Sequence, residues 1–268
     1  MKYKILVLDL DGTLTNQKKE ITPHTHDILI KAQQMGVRIV LASGRPTYGI
    51  APLAEQLELK KYGGYILSYN GCEIINWQTG ELLYSKTLDS SVIPYLYKCA
   101  SDHHFTIATY HDKYVFTENT DDIYVQKAAK LNIMTLKKVN KFTEAVHFPV
   151  PKCLIMGDAH RLASFEKMMH KKLQEQVGVF RSEPYFLELV PNGIDKAHSL
   201  AILLKETGVS REETIAIGDG FNDLSMIKFA GLGVAMNNAQ EIIKKHANHI
   251  TLSNEEDGVA AVVEQFIF

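Results

Sequence analysis

The first seventy residues alternate between continuous apolar runs and one helical pattern. Residues 2–10, KYKILVLDL, form an apolar run of the kind that is buried on both faces of a parallel sheet. Thr22 suits a helix N-cap, Pro23 suits the first helical position, and Gly36 suits the helix end. One apolar face lies between these signals, formed by Ile28, Leu29, Ala32 and Met35. The runs VRIVLAS (37–43) and GYILSYNG (64–71) predict two more strands, which favours a doubly wound sheet.

The C-terminal part of the chain repeats this alternation. A helix is predicted over 196–206 and ends at Gly208, with Leu200, Leu203 and Leu204 on its buried face. The predicted strands that follow are 214–219, 232–236 and 249–252. Helices are predicted from Asn222, around 239–247, and finally to Phe266. Both ends of the chain therefore favour the same α/β fold, a doubly wound, Rossmann-like parallel sheet.

The middle of the chain has a different pattern. The runs FTIATYH and YVFTEN predict a hairpin that turns at Asp112 and Lys113. Helices are predicted near 121–131 and 160–175, and KCLIMGD and YFLELV predict further strands. We therefore expect a core domain made of residues 1–84 and 188–268, with an α+β domain inserted over 85–187.

Composition and charge narrow the functional class. The chain has 268 residues, of which 46% are hydrophobic, and its formal net charge is −2. This balance gives no reason to expect a nucleic-acid partner. The three cysteines are scattered and form no CxxC, which favours free thiols in a reducing compartment. The N-terminus resembles neither a signal peptide nor a membrane span, so we expect a cytoplasmic enzyme with no membrane and no obligate protein partner.

Polar residues follow four of the predicted strands. Asp9, Ser43, Asn70 and Asp219 each stand at the carboxyl end of a strand. In an open parallel sheet, ligands bind outside these strand ends. We therefore expect the four residues to converge at one edge of the core sheet.

Carboxylates dominate that edge. Asp9 and Asp11 occupy alternate positions of an extended segment, so their side chains are expected on the same side. Asp219 and Asp223, in GDGFND, add two more acids. Like charges at this spacing need a cation between them or a proton on one of them. A carboxylate cluster without cysteine or a histidine run suits Mg²⁺.

The same segments resemble a known superfamily. DLDGTLT, LASGRP, a distal lysine and GDGFND together resemble the haloacid-dehalogenase superfamily of phosphoryl-transfer enzymes. The inserted block resembles the Cof-type branch, whose subclass IIB cap lies between the second and third motifs. The resemblance covers essentially the whole chain. In the family the lysine is often followed by glycine, whereas Ala197 and His198 follow Lys196 here.

The resemblance implies a Mg²⁺-dependent phosphatase that acts on a small phosphorylated metabolite, with a sugar phosphate favoured. Asp9 would be the nucleophile and form an aspartyl-phosphate, while Asp11 would exchange protons with the leaving group and the water. The implied metal ligands are Asp9, the Asp11 carbonyl and Asp219. Asp223 would support these ligands without binding the metal itself. The residues expected to bind the phosphoryl group are Leu10, Ser43, Gly44, Lys196 and Asn222. The inserted domain would act as a cap that selects the substrate.

Several alternatives stay open at this point. A phosphomutase or phosphotransferase would use the same Asp9 chemistry and pass the phosphate to a sugar hydroxyl. A receiver-like signalling module has a similar acidic pocket, but it is about half this length. A dinucleotide-binding domain is disfavoured because no GxGxxG follows the first strand. Arg45 and Asn70 could contact substrate or brace the loops that carry them.

Overall fold

The computed structural model of the protein describes residues 2–174 and 176–268, which fall into two units. The first unit contains the residues up to Tyr84 together with Asp195–Phe268. The second unit is Ser85–Ile194. A domain inserted between two separate stretches of the core is thus present in the structure.

The first unit is built on an eight-stranded sheet with the order β14-β13-β12-β1-β2-β3-β4-β5. Strands β1 to β3 and β12 to β14 run parallel, and β4 is antiparallel to β3. The strands, numbered in chain order, are β1 (Ile5–Leu8), β2 (Arg38–Ala42), β3 (Tyr65–Ser68), β4 (Glu73–Asn76), β5 (Glu81–Ser85), β12 (Thr214–Gly218), β13 (Leu232–Ala235) and β14 (His249–Ile250). The predicted parallel sheet is confirmed, whereas β4 and β5 were not predicted.

Helices cover both faces of this sheet. They are α1 (Pro23–Gln34), α2 (Thr47–Gln56), α3 (Leu59–Tyr62), α8 (Lys196–Thr207), α9 (Leu224–Phe229), α10 (Glu241–Lys244) and α11 (Gly258–Phe266). Leu6 and Leu8 of β1 join a core with residues of α1, α2 and α11. Ile5 and Val7 face the other way and join a core with residues of α8 and α9. Burial on both faces explains why β1 is a continuous apolar run.

Some predicted elements differ from the observed ones near their ends. The predicted helix over 239–247 is only Glu241–Lys244, and the predicted strand over 249–252 is only His249–Ile250. The run GYILSYNG leaves the sheet after Ser68, because Tyr69 and Asn70 have φ angles of 52° and 58°. An extended strand cannot continue through left-handed residues. Met35 was placed on the buried face of α1, but it is 48% exposed because the helix ends before it.

The second unit contains a six-stranded sheet with the order β10-β11-β9-β6-β7-β8. Its elements are α4 (Ile93–Asp102), β6 (Thr106–His111), β7 (Tyr114–Thr117), α5 (Ile123–Leu131), β8 (Thr135–Lys138), α6 (Phe142–Ala145), β9 (Cys153–Met156), α7 (Ala159–Leu173), β10 (Val177–Glu183) and β11 (Phe186–Pro191). The predicted hairpin is β6 and β7, with Asp112 at φ 49° in its turn. The last position of the predicted helix over 160–175 lies outside the described residues. None of the described helices combines the length and the apolar character that crossing a bilayer would require.

The end of the inserted unit lies further along the chain than predicted. The boundary expected between residues 187 and 188 cuts through β11. That strand pairs antiparallel with both β9 and β10, so all of it belongs to the sheet of the second unit. The core resumes at Asp195, the N-cap of α8.

Candidate active site

The carboxyl ends of β12, β1, β2 and β3 meet at one edge of the core sheet. The amide of Asp9 donates to the carbonyl of Ile217 at 3.1 Å, which ties the end of β1 to the end of β12. On the other side, the amide of Ser43 donates to the Leu67 carbonyl, and the amide of Asn70 donates to the Ser43 carbonyl. Residues from four distant parts of the sequence therefore form a single rim, as the strand pattern predicted.

Three of the four predicted acids form a tight cluster on this rim. Carboxylate oxygens of Asp9, Asp219 and Asp223 all lie within 4.8 Å of one another. Asp9 is only 5% exposed and Asp223 is fully buried. The Oδ2 of Asp223 accepts hydrogen bonds from the amides of Asp219 and Gly220, at 3.0 and 2.9 Å. Asp223 therefore also fixes the turn that carries Asp219.

Lys196 places a buried cation against two of these acids. It is the first residue of α8 and is fully buried. Its Nζ lies 2.6 Å from Asp9 Oδ1 and 2.5 Å from Asp223 Oδ1. Burial by itself would lower the pKa of Lys196, but the charges of Asp223 and Asp9 outweigh it and raise the pKa. The lysine therefore stays protonated.

One lysine does not balance three acids. Burial, followed by the charge of Asp223, raises the pKa of Asp9 to about 8, although Lys196 acts in the opposite direction. Burial and the charge of Asp223 also raise the pKa of Asp219, to about 6. The cluster therefore holds protons that ordinary aspartates release, which indicates a local deficit of positive charge.

This charge deficit and the donor set fit a divalent metal ion. The donors are carboxylate oxygens, which are the ligands that hard cations such as Mg²⁺ select. When all three carboxylates are ionised, they and the ammonium group of Lys196 leave two negative charges, which a divalent ion would neutralise in place of protons. The structure thus gives a physical reason for a cation beside Asp9, Asp219 and Asp223.

Asp11 is the predicted acid that does not join the cluster. Its carboxylate instead contacts Arg45, with Nε to Oδ2 at 2.8 Å and Nη2 to Oδ1 at 2.5 Å. Lys19 Nζ lies 2.7 Å from Oδ1. Burial would raise the pKa of Asp11, but the hydrogen bonds and charges of Arg45 and Lys19 prevail and lower it. The Asp11 carboxylate is therefore outside the group of oxygens that lie within 4.8 Å of one another, although its charge still contributes to raising the pKa of Asp219. That the Asp9 and Asp11 carboxylates share one small volume stays a prediction.

The loop after β1 makes room for the cluster. Gly12 has a φ of 85°, and a Cβ atom at this position would lie 2.5 Å from Asp219 Oδ2. Only glycine fits both this conformation and this approach. Thr13 Oγ1 donates to Asp219 Oδ1 at 3.2 Å, a contact that sequence reasoning missed. The fully buried Leu10 accepts hydrogen bonds at its carbonyl from the amides of Thr13 and Thr15.

The remaining predicted residues lie on the loops after β2, β3 and β12. Ser43 is buried, and its Oγ accepts from the Arg45 amide at 3.2 Å. Asn222 Nδ2 donates to Asn70 Oδ1 at 3.1 Å. A Cβ atom on Gly44 would lie 3.1 Å from Asn70 Nδ2, so the Gly44 backbone passes close to that amide. Asn70 thus connects the loop after β2 with the loop after β12.

Comparison with known proteins identifies the family. The family model described as haloacid dehalogenase-like hydrolase matches residues 6–263. A 5-amino-6-(5-phospho-D-ribitylamino)uracil phosphatase of Bacillus subtilis, YcsE, is 30% identical over 269 residues, covering 98% of this chain and 96% of the relative.

Solved structures agree with this result. A haloacid dehalogenase-like hydrolase from Bacteroides thetaiotaomicron is 58% identical, with a TM-score of 0.96 over the full length of both chains. A sugar phosphatase of subclass IIB has the same fold, with a TM-score of 0.83 and 23% identity over 98% of each chain. The chain therefore belongs to the haloacid dehalogenase-like hydrolases and is a phosphatase of that family.

Proposed function

We propose that the protein is a Mg²⁺-dependent phosphatase that hydrolyses a small phosphorylated metabolite through an aspartyl-phosphate on Asp9. The observation that carries the proposal is the cluster of Asp9, Asp219 and Asp223, with the cation of Lys196 against Asp9 and Asp223. Asp9, the Asp11 carbonyl and Asp219 would hold the metal, with Asp223 behind them. When bound, Mg²⁺ would offset the negative charge that otherwise opposes attack by a carboxylate on a phosphate dianion.

The reaction divides into two steps. An oxygen of Asp9 attacks phosphorus, the bond to the leaving oxygen breaks, and Asp11 gives that oxygen a proton. Water then attacks the phosphorus of the phosphorylated Asp9 and returns a proton to Asp11. The bond to Asp9 breaks and inorganic phosphate leaves.

The other residues of the rim would bind the transferring phosphoryl group. Lys196 brings a positive charge to within 2.6 Å of the nucleophile, a distance that suits stabilisation of a phosphoryl group on Asp9. Ser43 and Asn222 would donate from their side chains, and Leu10 and Gly44 from their backbone amides. The Ser43 amide, which we also expected to donate, is instead bonded to the Leu67 carbonyl. Such donors stabilise charge best when they are fixed in advance. The contact of Ser43 with Arg45 in the same loop, and that of Asn222 with Asn70 in a neighbouring loop, would fix them.

A phosphorylated sugar or polyol is the substrate class we favour. The curated relative YcsE is named for a substrate whose phosphate sits on a ribityl chain, and it resembles this protein along nearly its whole length. We assign the choice of leaving group to the inserted unit. A cytoplasmic location is also part of the proposal, and the three scattered cysteines, which form no CxxC, suit a reducing compartment.

The test is hydrolysis of p-nitrophenyl phosphate. We expect phosphate release that requires Mg²⁺ and stops in EDTA, and we expect Asp9→Asn to abolish it. Asp121→Asn, at an exposed carboxyl of the inserted unit, is the control and should retain activity. Turnover by Asp9→Asn near the wild-type rate would remove Asp9 as the nucleophile.

The covalent intermediate is tested separately. Asp11→Asn should accumulate phosphate on the peptide that contains Asp9, because p-nitrophenolate leaves without a proton whereas the attacking water needs a base. Mass spectrometry after acid quenching detects that peptide. An acceptor sugar added to the wild-type reaction distinguishes the phosphotransferase alternative, since transfer would lower the yield of free phosphate per p-nitrophenol.

A further inference from the structure

We propose that Arg45 is a positioning residue that holds the Asp11 carboxylate in the orientation needed for proton transfer to the leaving group. The inference rests on the proposed function, in which Asp11 exchanges protons with the leaving oxygen and the water. The sequence left Arg45 open between substrate contact and loop bracing. Its contacts in the structure give it a more specific role.

The guanidinium group of Arg45 donates two hydrogen bonds to the Asp11 carboxylate. Nε donates to Oδ2 at 2.8 Å and Nη2 donates to Oδ1 at 2.5 Å, so each carboxylate oxygen has its own donor. A paired contact of this kind fixes both the place and the plane of a carboxylate, which a single point charge does not. The plane decides which oxygen lone pair is presented to a proton donor or acceptor.

Arg45 is itself held in place. Its side chain is only 9% exposed, and Nη1 donates to the Gly49 carbonyl in the first turn of α2 at 3.4 Å. Its backbone amide donates to Ser43 Oγ at 3.2 Å. The residue that orients Asp11 is therefore part of the same loop as Ser43, a predicted phosphate-binding residue. One segment of the chain would therefore set both the orientation of the Asp11 carboxylate and the place of the phosphoryl group.

Lys19 provides a contrast within the same structure. It also pairs with Asp11, but through a single contact of 2.7 Å to Oδ1, and its side chain is 47% exposed. Lys19 supplies charge without fixing a plane. Comparison of Lys19 with Arg45 therefore distinguishes the effect of a positive charge near Asp11 from the effect of fixing the orientation of its carboxylate.

The contacts also indicate which oxygen transfers the proton. Among the described residues, Oδ1 of Asp11 accepts hydrogen bonds from Arg45 and Lys19, whereas Oδ2 accepts one from Arg45. A carboxylate oxygen has two lone pairs, so Oδ2 keeps one that a proton can occupy. We assign proton transfer to Oδ2.

Loss of this orientation has a specific kinetic consequence. A leaving group that departs readily as an anion needs little help from an acid, whereas a poor leaving group needs the proton in the transition state. p-Nitrophenyl phosphate and phenyl phosphate differ by one nitro group and provide this comparison. A misplaced Asp11 should impair phenyl phosphate hydrolysis much more than p-nitrophenyl phosphate hydrolysis.

The experiment compares Arg45→Gln with Lys19→Gln, each of which removes one positive charge beside Asp11. For Arg45→Gln we expect kcat/KM to fall about 100-fold with phenyl phosphate and about tenfold or less with p-nitrophenyl phosphate. For Lys19→Gln we expect the ratio of kcat/KM for p-nitrophenyl phosphate to kcat/KM for phenyl phosphate to stay within about twofold of wild type. The single contact of Lys19 does not fix the plane of the Asp11 carboxylate. Arg45→Lys keeps the positive charge but loses the paired contact with both carboxylate oxygens. The ratio of kcat/KM for the two esters should therefore resemble that of Arg45→Gln.

Each other outcome overturns the inference. Equal losses on both substrates in Arg45→Gln and Arg45→Lys would show a structural role, and a rise in KM with unchanged kcat would show substrate binding. Restoration of the ratio by Arg45→Lys would show that charge alone matters, and this variant decides the question if Arg45→Gln does not fold. Failure of the wild-type protein to hydrolyse either ester would instead overturn the proposed function.

Discussion

At the residue scale, two aspartates separated by one leucine have opposite environments. Asp9 lies among Asp219, Asp223 and Lys196, and burial with the like charges raises its pKa. Asp11 lies against Arg45 and Lys19, and its pKa is lowered despite burial. Divergent environments of this kind allow two identical side chains to take different roles. The raised pKa keeps a proton on metal-free Asp9 that a bound cation would displace, and the lowered pKa keeps Asp11 ionised, the form that accepts a proton from the attacking water.

The raised pKa of Asp9 predicts how the stability of the metal-free protein depends on pH. The pKa of an unfolded aspartate is about 3.9, while that of folded Asp9 is about 8. Between these values the folded state binds more protons than the unfolded state, so the free energy of unfolding falls as pH rises. We expect the thermal midpoint in EDTA to fall more steeply from pH 5 to pH 8 for wild type than for Asp9→Asn. Parallel curves for the two proteins would contradict the raised pKa.

At the element scale, the start of α1 and the start of α11 are linked. Thr22 Oγ1 accepts from the Thr25 amide at 3.2 Å as the N-cap of α1. The Thr22 and Thr25 hydroxyls also donate to Asp257 Oδ1. Asp257 lies at the N-cap of α11, and α1 and α11 share one core on the same face of the sheet. A single threonine therefore stabilises the packing of two helices as well as the end of one.

This link predicts the effect of removing the Thr22 hydroxyl. Thr22→Ala should destabilise the protein by about 1–2 kcal/mol, or roughly 2–8 °C in the thermal midpoint, because the cap and a hydrogen bond to a carboxylate are lost. Phosphatase activity below the transition should not change, since the Thr22 hydroxyl contacts Thr25 and Asp257, neither of which belongs to the proposed site. Thr22→Ser keeps the hydroxyl and is the matched control. Equal stability of the alanine and serine variants would show that the hydroxyl contributes nothing.

At the scale of the whole molecule, the acid cluster joins the two ends of the core domain. Asp9 follows β1, whereas Asp219 and Asp223 follow β12, more than two hundred residues later. The cluster exists only when β1 and β12 are paired. A cation that binds it therefore binds the folded chain and not the unfolded one.

Mg²⁺ should consequently stabilise the folded protein. A ligand at 100 times its Kd adds about 2.7 kcal/mol, or roughly 5–10 °C in the thermal midpoint. We expect Mg²⁺ to raise the midpoint of the wild-type protein in a concentration-dependent way, and to raise that of Asp219→Asn much less. The measurement is a thermal melt over a Mg²⁺ series with Ca²⁺-free buffer. An equal rise in both proteins would place the metal elsewhere.

Much of the candidate site was predictable because its signals are local. A parallel strand ends where its apolar run ends, so Asp9, Ser43 and Asp219 could be placed at one edge from the sequence. The helix signals at Thr22, Pro23 and Gly36 also act over a few residues, and α1 was predicted with its correct start. The end of the inserted unit was missed because membership of β11 in either sheet depends on its partners rather than on its own residues.

The sequence by itself determined which chemical groups stand at the strand ends and which family the chain resembles, because strand length, turn residues and motif spacing are short-range properties. The tertiary structure decided which of these groups touch. It placed Lys196 between Asp9 and Asp223, turned Asp11 toward Arg45 and brought Thr13 to Asp219. These contacts join residues up to 206 positions apart. They arise from the order in which the strands pair, and that order is set by packing both faces of the sheet at once.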